Sequence, residues 1–575
     1  MKKKRNFKRI STIWGENFDP SCPLSEYPRP QFQRESYLCL NGKWGFEVLN
    51  GENKVYEGEI IVPYSPETML SGVERETSKS ETLHYFRKFA FPENFIKGRV
   101  LLHFGGVDQF ARVVFNGTEV TSHADGYLPF SVDVTSLVQE ENTLEVFVTD
   151  LTENSELPRG KQSSSPGGIW YTAQSGIWQT VWLESVPDSY IESIRLTPDI
   201  DKGELRIEIK KEGNPSYDEV RIISEKGGFD VSLQEDTAVI KIAEVKLWSP
   251  EEPFLYDLAL SYGKDKVSSY FAMRKFSVER DKYGAMRFCL NNKQYFINGV
   301  LDQGYYPESL LTPPDDRAMI FDIQTAKKLG FNTIRKHIKI EPLRWYYHCD
   351  RTGLLVWQDL VNGGGIYSRM VTQVMGFLGM FTPDFNYKRF SRLNTEGREA
   401  FSRHLEGAAA LLFNSPSVAV WTIFNEGWGQ FDAGLFTSRL WQLDPTRPVD
   451  STSGWIDQFT GDFKSLHIYY KRLRVPLVQD RAVAITEFGG YSLPLPTHTA
   501  FDSDFGYKKF RKQDLYALAV NRLYKSQLYP LISQGLCAAV YTQLTDVEEE
   551  LNGIITYDRK VLKLDAIPAP PDSED

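Results

Sequence analysis

The chain has 575 residues, and because single hydrophobic cores seldom outgrow about 250 to 300 residues, three domains are expected. Lys and Arg total 66 against 76 Asp and Glu, a formal net charge of −10, which offers no general attraction to phosphate backbones or anionic membrane surfaces and argues against nucleic acid or membrane as a partner. The five cysteines (Cys22, Cys39, Cys289, Cys349, Cys537) are scattered, odd in number and without CxxC spacing, a pattern of a reducing compartment.

The first ten residues, Met1 to Ile10, are basic but lead into no apolar stretch, so they do not read as a signal peptide. No apolar run reaches membrane-spanning length, and a cytoplasmic protein is expected. From about 35 to 187 short alternating runs such as Arg99–Phe104, Ala111–Phe115 and Thr143–Val148 are separated by Gly, Asn and Asp turns, the pattern of an all-β sandwich. Within it, Pro158 to Gly168 is too polar and Gly-rich for a strand and long for an idle connection. Taken alone it reads as a disordered surface loop. Alternation continues from about 188 to 278, as in Glu204–Ile209 and Ala238–Ile242, and predicts a second β-sandwich.

After Phe276 the pattern changes to strand, helix, strand, the mark of parallel βαβ units. Eight strands are predicted near 294–302, 333–338, 354–359, 418–425, 448–453, 465–470, 482–487 and 537–545. Helices are predicted over Arg317–Leu329, Asn394–Phe413 and Leu515–Ser533, with short crossovers after the fifth and sixth strands. Eight such units form a (β/α)8 barrel, whose catalytic groups gather at the carboxyl ends of the strands. Two apolar strands there end in carboxylates: Val418–Phe424 runs into Asn425-Glu426, and Ala482–Thr486 into Glu487.

Trp421-Thr422-Ile423-Phe424-Asn425-Glu426 resembles the acid/base signature of glycoside hydrolase family 2, and Ile485-Thr486-Glu487-Phe488-Gly489, 61 residues on from Glu426 to Glu487, resembles its nucleophile segment. Leu40-Asn41-Gly42-Lys43-Trp44, Tyr85-Phe86-Arg87-Lys88 and Ser175-Gly176-Ile177-Trp178-Gln179-Thr180-Val181-Trp182 look like the family's N-terminal jelly roll. Leu247-Trp248-Ser249-Pro250 looks like the end of its immunoglobulin-like domain. The resemblance implies a jelly roll over 1–187, an immunoglobulin-like domain over 188–278 and a catalytic TIM barrel over 279–575. It also implies a retaining exo-β-glycosidase with Glu426 as acid/base and Glu487 as nucleophile, two carboxyls serving an oxocarbenium-like transition state. Asn425 is then expected at the sugar 2-hydroxyl and Arg335 beside Glu487. In the family, loops of the first domain can reach the barrel mouth, which makes Lys161 and Gln162 candidate substrate-side residues. His337 is only loosely equivalent to the family's residue, because Lys336-His337-Ile338-Lys339 replaces the usual Ser-His-Tyr-Pro-like run.

His467 and Tyr469, two apart on one strand and so on one face, are expected in the site. Asp302, Gln303, Tyr541 and Gln543 at strand ends, and Trp428 and Trp455 as stacking platforms, complete the candidates. The acidic run Asp546–Glu550 reads as a solvated turn rather than a metal site, having no His beside it. Neither P-loop nor dinucleotide fingerprint occurs in a strand-to-helix context, so no cofactor is expected. The expected partner is a carbohydrate or glycoconjugate, and a homo-oligomer is compatible with the sequence. β-Glucuronidases of the family place an Asn-x-Lys before Gly-Ile-x-Thr-x-Asp-Arg. Here Gly553–Arg559 matches that segment, but Glu550-Leu551-Asn552 precedes it. A neutral β-glycoside is therefore the expected substrate, a β-galactoside first because of how common that activity is in the family the chain resembles, a β-uronide reached through Lys336 or Lys339 the alternative, and a non-catalytic sugar binder the reading from another class.

Overall fold

The computed structural model describes residues 7–214, 220–224, 229–233, 236–368, 370–371, 381–477, 480–502 and 504–570. The first β region packs a six-stranded antiparallel sheet against a four-stranded one, covering strands between Tyr37 and Val186. Strand Asn142–Thr149 shows why they face each other: its residues alternate between buried and half-buried, so one side is a core face. Trp44, Phe46, Val48, Tyr85, Val146 and Leu183 meet in the shared core. Of the residues before this sandwich, Thr12 hydrogen-bonds Glu308 of the barrel, whereas Tyr27 and Arg29 bind Glu184 of the sandwich itself.

A second sandwich, of three and four antiparallel strands, spans Tyr190 to Phe271, around Ile207, Leu258 and Phe271. A three-stranded sheet over Phe276–Gln294 then leads into the barrel. Its Phe276 and Phe288 join Trp248, Trp357 and Ala482 in one apolar cluster that closes the amino-terminal end of the barrel.

Eight parallel strands form the barrel: β1 Ile297–Asp302, β2 Thr333–Lys336, β3 Leu355–Asp359, β4 Val418–Asn425, β5 Val449–Ser453, β6 Phe463–Ile468, β7 Ala482–Gly489 and β8 Leu536–Thr542. They are hydrogen-bonded in the order β5-β4-β3-β2-β1-β8-β7-β6, leaving the barrel nearly closed. Every residue of β4 and β7 is buried, as expected of parallel strands covered on both faces. The helices are α1 Asp316–Lys328, α2 Leu343–Thr352, α3 Thr395–Leu412, α4 Ala433–Leu443 and α5 Gln513–Leu523; α1, α3 and α5 are the three predicted ones, and α2 and α4 were not named from the sequence. Asp315 caps α1 by accepting from the Arg317 amide, and Lys327 and Lys328 sit in its last turn, both favourable to the helix dipole. The third predicted helix is shorter as an α-helix than Leu515–Ser533, because a π turn over Tyr524–Leu528 and a 3-10 turn with Pro530 near its start finish it. No helix among the described residues is long and apolar enough to cross a membrane.

The segment before Ser175 decides how the first sandwich sits on the barrel. Arg159 and Gly160 donate their amides to the Asn362 carbonyl, the Arg159 guanidinium reaches the Gly364 and Gly365 carbonyls, and Thr172 donates its amide to Glu548 at 2.8 Å. This loop lies across the carboxyl-terminal mouth of the barrel, not on an open surface.

Candidate active site

Consecutive strand residues point to opposite faces, yet Asn425 and Glu426 both serve the mouth. The backbone explains it: Glu426 leaves β4 with φ +50°, in the left-handed region, followed by Gly427 at +73°. Such a conformation in a non-glycine residue costs of order 1 to 3 kcal/mol and collects at functional sites. The Glu426 amide is held by the Ser453 carbonyl at 2.9 Å. On β7 an irregularity in the pairing with β8 falls between Ile485 and Phe488, and another sets His467 of β6 opposite Glu487. Bulges of this kind re-aim side chains beside active sites.

Glu426, His467 and Glu487 thus converge, with one ligand atom from each all within 4.8 Å of one another. His467 Nδ1 lies 2.8 Å from Glu426 Oε1 and 3.5 Å from Glu487 Oε2. Glu487 is surrounded by donors: Tyr469 donates its hydroxyl to Oε2, and Arg335 Nη1 stands 3.4 Å from Oε1. Arg335 is itself clamped by Asp359 through two 3.0 Å bonds, and gives another at 2.8 Å to Asn425 Oδ1. These donors stabilise an ionised Glu487, whereas among the described residues the close side-chain partner of Glu426 is the His467 imidazole.

The electrostatics follow the geometry. Burial pushes the Glu426 carboxyl up to about 7 against the pull of Lys161 and Arg335. Glu487 is also raised by burial, opposed by His467 and Arg335, while the Glu426 charge adds to the rise. Burial holds His467 down to about 4, so its imidazole is neutral at pH 7. Two carboxylates this close resist ionising together, and the pair keeps one proton near neutrality. His467 Nδ1 can donate to an ionised Glu426 or accept from a protonated one, so the contact survives both states. A divalent cation could use the same nitrogen and two carboxylates.

Around this centre, His337 Nδ1 lies 3.0 Å from Gln303 Oε1, which sits on an amide pair with Gln543 at 2.8 Å. Asn425 Nδ2, His337 Nε2, Gln543 Nε2 and Trp455 Nε1 are buried and find no hydrogen-bond partner among the described residues. Trp455 stands edge-on to His467 with ring centroids 5.3 Å apart. Trp428 packs against Trp170 of the first sandwich at 5.0 Å and faces His337 at 6.0 Å.

Three candidates, Asp302, Tyr541 and Gln162, are placed away from the carboxylates. Asp302 is consumed by Lys336 at 2.5 Å and by the Gly304 amide at 3.0 Å. Tyr541 turns outward into the helix layer, 5.6 Å from Phe488 and 6.2 Å from Tyr524. Its neighbour Thr542 faces inward instead, 3.2 Å from the Tyr469 hydroxyl, which is the strand alternation acting one residue later than expected. Lys336 and Lys339 are also engaged, the first by Asp302 and Glu341 and the second by Glu341 and the Gly304 and Leu311 carbonyls. Gln162 braces the sandwich, bonding Asp108 at 2.7 Å.

Lys161 is in the mouth. It is buried, with Nζ 3.5 Å from the Tyr171 hydroxyl, 3.9 Å from Glu550 Oε2 and 5.9 Å from the Trp428 ring centre. The expected solvated turn is a correction: Asp546, Glu548 and Glu550 are all buried. Asp546 pairs with Lys563 at 2.6 Å, and Glu550 accepts from Tyr171 and from Asn552. A run of acids looked solvated because its partners lie far away in the chain. Asp359, Trp170 and Tyr507 were not anticipated; Asp359 alone carried a signal, as a carboxylate ending a predicted strand.

An eight-stranded barrel with two carboxylates converging at the carboxyl ends of β4 and β7 has the architecture of a glycoside hydrolase. Comparison with known proteins bears this out. Residues 65–175 match the profile "Glycosyl hydrolase 2 galactose-binding domain-like", 189–274 match "Glycosyl hydrolases family 2", and 284–480, a stretch that includes Glu426, match its TIM barrel domain. The chain belongs to glycoside hydrolase family 2. It is 25% identical over 482 residues to a β-galactosidase of Lactococcus lactis, a match covering 77% of this chain and 42% of that one. With the β-glucuronidase of Rattus norvegicus it shares 25% over 410 residues, 64% of this chain and 58% of the relative. The chain thus spans less than two thirds of the length of these curated relatives. A GH2 β-galacturonidase from Eisenbergiella tayi bound to galacturonate has the same fold, with a TM-score of 0.70 at 19% identity over 93% of this chain and 97% of that one.

Proposed function

We infer that the protein is a retaining β-glycosidase acting on neutral sugars, with a terminal β-galactoside as substrate. The observation that carries the mechanism is the convergence of Glu426 and Glu487 to within 4.8 Å. Retention requires carboxyls about 5 to 5.5 Å apart, whereas inversion requires about 6.5 to 9.5 Å so that a water fits between. Glu426 gives its proton to the leaving oxygen while Glu487 attacks the anomeric carbon; in the second step Glu426 takes a proton from the water that releases the sugar. Asn425, fixed by Arg335, offers its free amide nitrogen toward a sugar hydroxyl.

What supports a neutral sugar is the charge around it. Glu550 joins the two catalytic carboxylates, and Arg335 is already bound by Asp359. Each additional like charge at 4 Å costs between about 1 and 4 kcal/mol depending on solvent access. Nitrophenyl glycosides of β-galactose, β-glucose, β-mannose, β-glucuronate, β-galacturonate and α-L-arabinopyranose test this directly. The expected result is turnover of the galactoside, with kcat/KM for both uronides lower by about tenfold or more.

A second reading, a β-uronidase, has one observation behind it: the Lys161 ammonium stands in the mouth with long contacts, 3.5 Å to the Tyr171 hydroxyl and 3.9 Å to Glu550. Lys161→Met separates the two. If uronides are the substrates and that variant loses them, Lys161 is the carboxylate contact. If galactosides are, the variant keeps them and shows a shift in pH dependence. Activity needs Glu487 ionised and Glu426 protonated, so the profile is a bell whose alkaline limb falls near pH 7. Lys161 lowers the Glu426 carboxyl, so its removal moves that limb to higher pH, as kcat/KM against pH reads out.

A further inference from the structure

Behind the aromatic wall of the active site lies a second cavity of about 600 Å³, within the size range of small-molecule sites, about 300 to 1000 Å³. Lys471, Arg472, Lys508 and Arg522 line it, and no Asp or Glu does. In a chain with a net charge of −10 this is a local reversal of sign, and clefts lined by one sign of charge focus the field on an oppositely charged ligand. Among the described residues, no carboxylate lies in ion-pair distance of Arg472, Lys508 or Arg522. Lys508 instead rests over the Tyr491 and Phe510 rings at 5.3 Å.

The cavity shares a wall with the catalytic centre. Tyr469 and Tyr507 line it, their rings stacked 3.7 Å apart at 3°, and the Tyr469 hydroxyl on the far side is the donor to Glu487. Tyr470, also lining it, is 69% exposed and stands edge-on to Tyr507 at 5.4 Å, an open aromatic face beside the cations. Planar guanidinium groups suit two-pronged binding of sulfate or carboxylate oxygens, and exposed tyrosine faces suit the apolar side of a sugar ring.

We propose that this cavity is a binding site for a glycan bearing sulfate or carboxylate groups, held by Arg472, Lys508 and Arg522 one aromatic layer from the nucleophile. The neutral sugar to be cleaved and the anionic part of the same or another glycan chain are then read by separate pockets. The proposal rests on the glycosidase reading for the choice of a carbohydrate ligand, and its test does not depend on turnover.

Calorimetry on the full chain with Glu487→Gln measures binding of a sulfated κ-carrageenan tetrasaccharide, trigalacturonate, a desulfated counterpart of the first, and inorganic sulfate. Binding of at least one anionic oligosaccharide is expected, weakened about tenfold or more in Arg472→Glu/Arg522→Glu, a loss of about 1.4 kcal/mol, and weakened again between low and physiological salt. The desulfated probe should bind more weakly, and the charge-reversed pair introduced into wild type should keep turnover of nitrophenyl glycosides. Equal binding by the charge-reversed variant, or no binding by either anionic oligosaccharide, overturns the proposal. Inorganic sulfate binding as tightly as the oligosaccharides overturns the glycan assignment in favour of a free anion. Failure of nitrophenyl glycoside turnover in the wild type, with anionic binding intact, strikes the glycosidase reading instead.

Discussion

Glu487→Gln is expected to remove turnover of every substrate, whatever its leaving group, while Glu426→Ala spares the first step for a dinitrophenyl glycoside. The asymmetry follows from what each group gives. In the proposed mechanism Glu487 supplies the electron pair that forms the glycosyl bond, and an amide cannot replace it. Glu426 supplies a proton that a good leaving group hardly needs, so its loss costs about 10² to 10⁴ on poor leaving groups and little on good ones. The Glu426→Ala enzyme then accumulates the covalent intermediate, since no base activates water. Azide, which attacks without deprotonation, should restore turnover and yield a β-glycosyl azide. Product analysis decides the roles: Glu487→Ala, if azide rescues it, should give the α-azide; a β-azide from Glu487→Ala with an α-azide from Glu426→Ala exchanges the two assignments, and wild-type rates in both variants place the chemistry elsewhere.

Arg335→Met carries the largest expected cost in stability. The guanidinium is fully buried and bound to Asp359, Asn425 and Glu487. Removing one partner of a buried pair leaves the other charge uncompensated, at about 3 to 5 kcal/mol. Urea unfolding should register that loss as a lower midpoint. Arg335→Met/Asp359→Leu should recover much of it, because the orphaned carboxylate goes too, and the difference from additivity measures the pair. Activity should not recover in the double variant: Glu487 and Asn425 have lost the group that fixes them, and misplacement by about 1 Å can cost about 10²-fold. A double variant as unstable as the single one would mean that Asp359 is not the partner that matters.

The alternation of strand and helix made the barrel readable, most plainly at β4 and β7, which are apolar runs ending in carboxylates; β2 Thr333–Lys336 and β5 Val449–Ser453 carry little apolar signal of their own. Arg335 was readable from family resemblance alone, and His467 and Tyr469 from that resemblance together with their spacing on one strand. What misled was local context. Tyr541 follows the same strand-end rule as Glu487, but the alternation at β8 gives the inward position to Thr542. Asp302 looked like a free strand-end acid, and only the fold brings Lys336 to it. The acidic run 546–550 resembles a solvated turn in any short window. Its burial depends on Lys563, on Tyr171 and on Lys161, the last two lying more than 370 residues away in sequence, beyond the reach of periodicity or spacing.

That long separation has a consequence for biosynthesis. Lys161 and Tyr171 leave the ribosome early, whereas Glu548 and Glu550, to which Tyr171 and Thr172 are tied, emerge only after nearly the whole barrel. Domains fold as units during synthesis, at about 5 to 20 residues per second, so the first sandwich has its own core in place well before its partner surface exists. For tens of seconds on that scale, the nascent chain carries one wall of a pocket and lacks the other. During that interval the mouth lacks the wall that Glu548 and Glu550 supply, and a barrel made without the first sandwich would fold around an open-sided mouth.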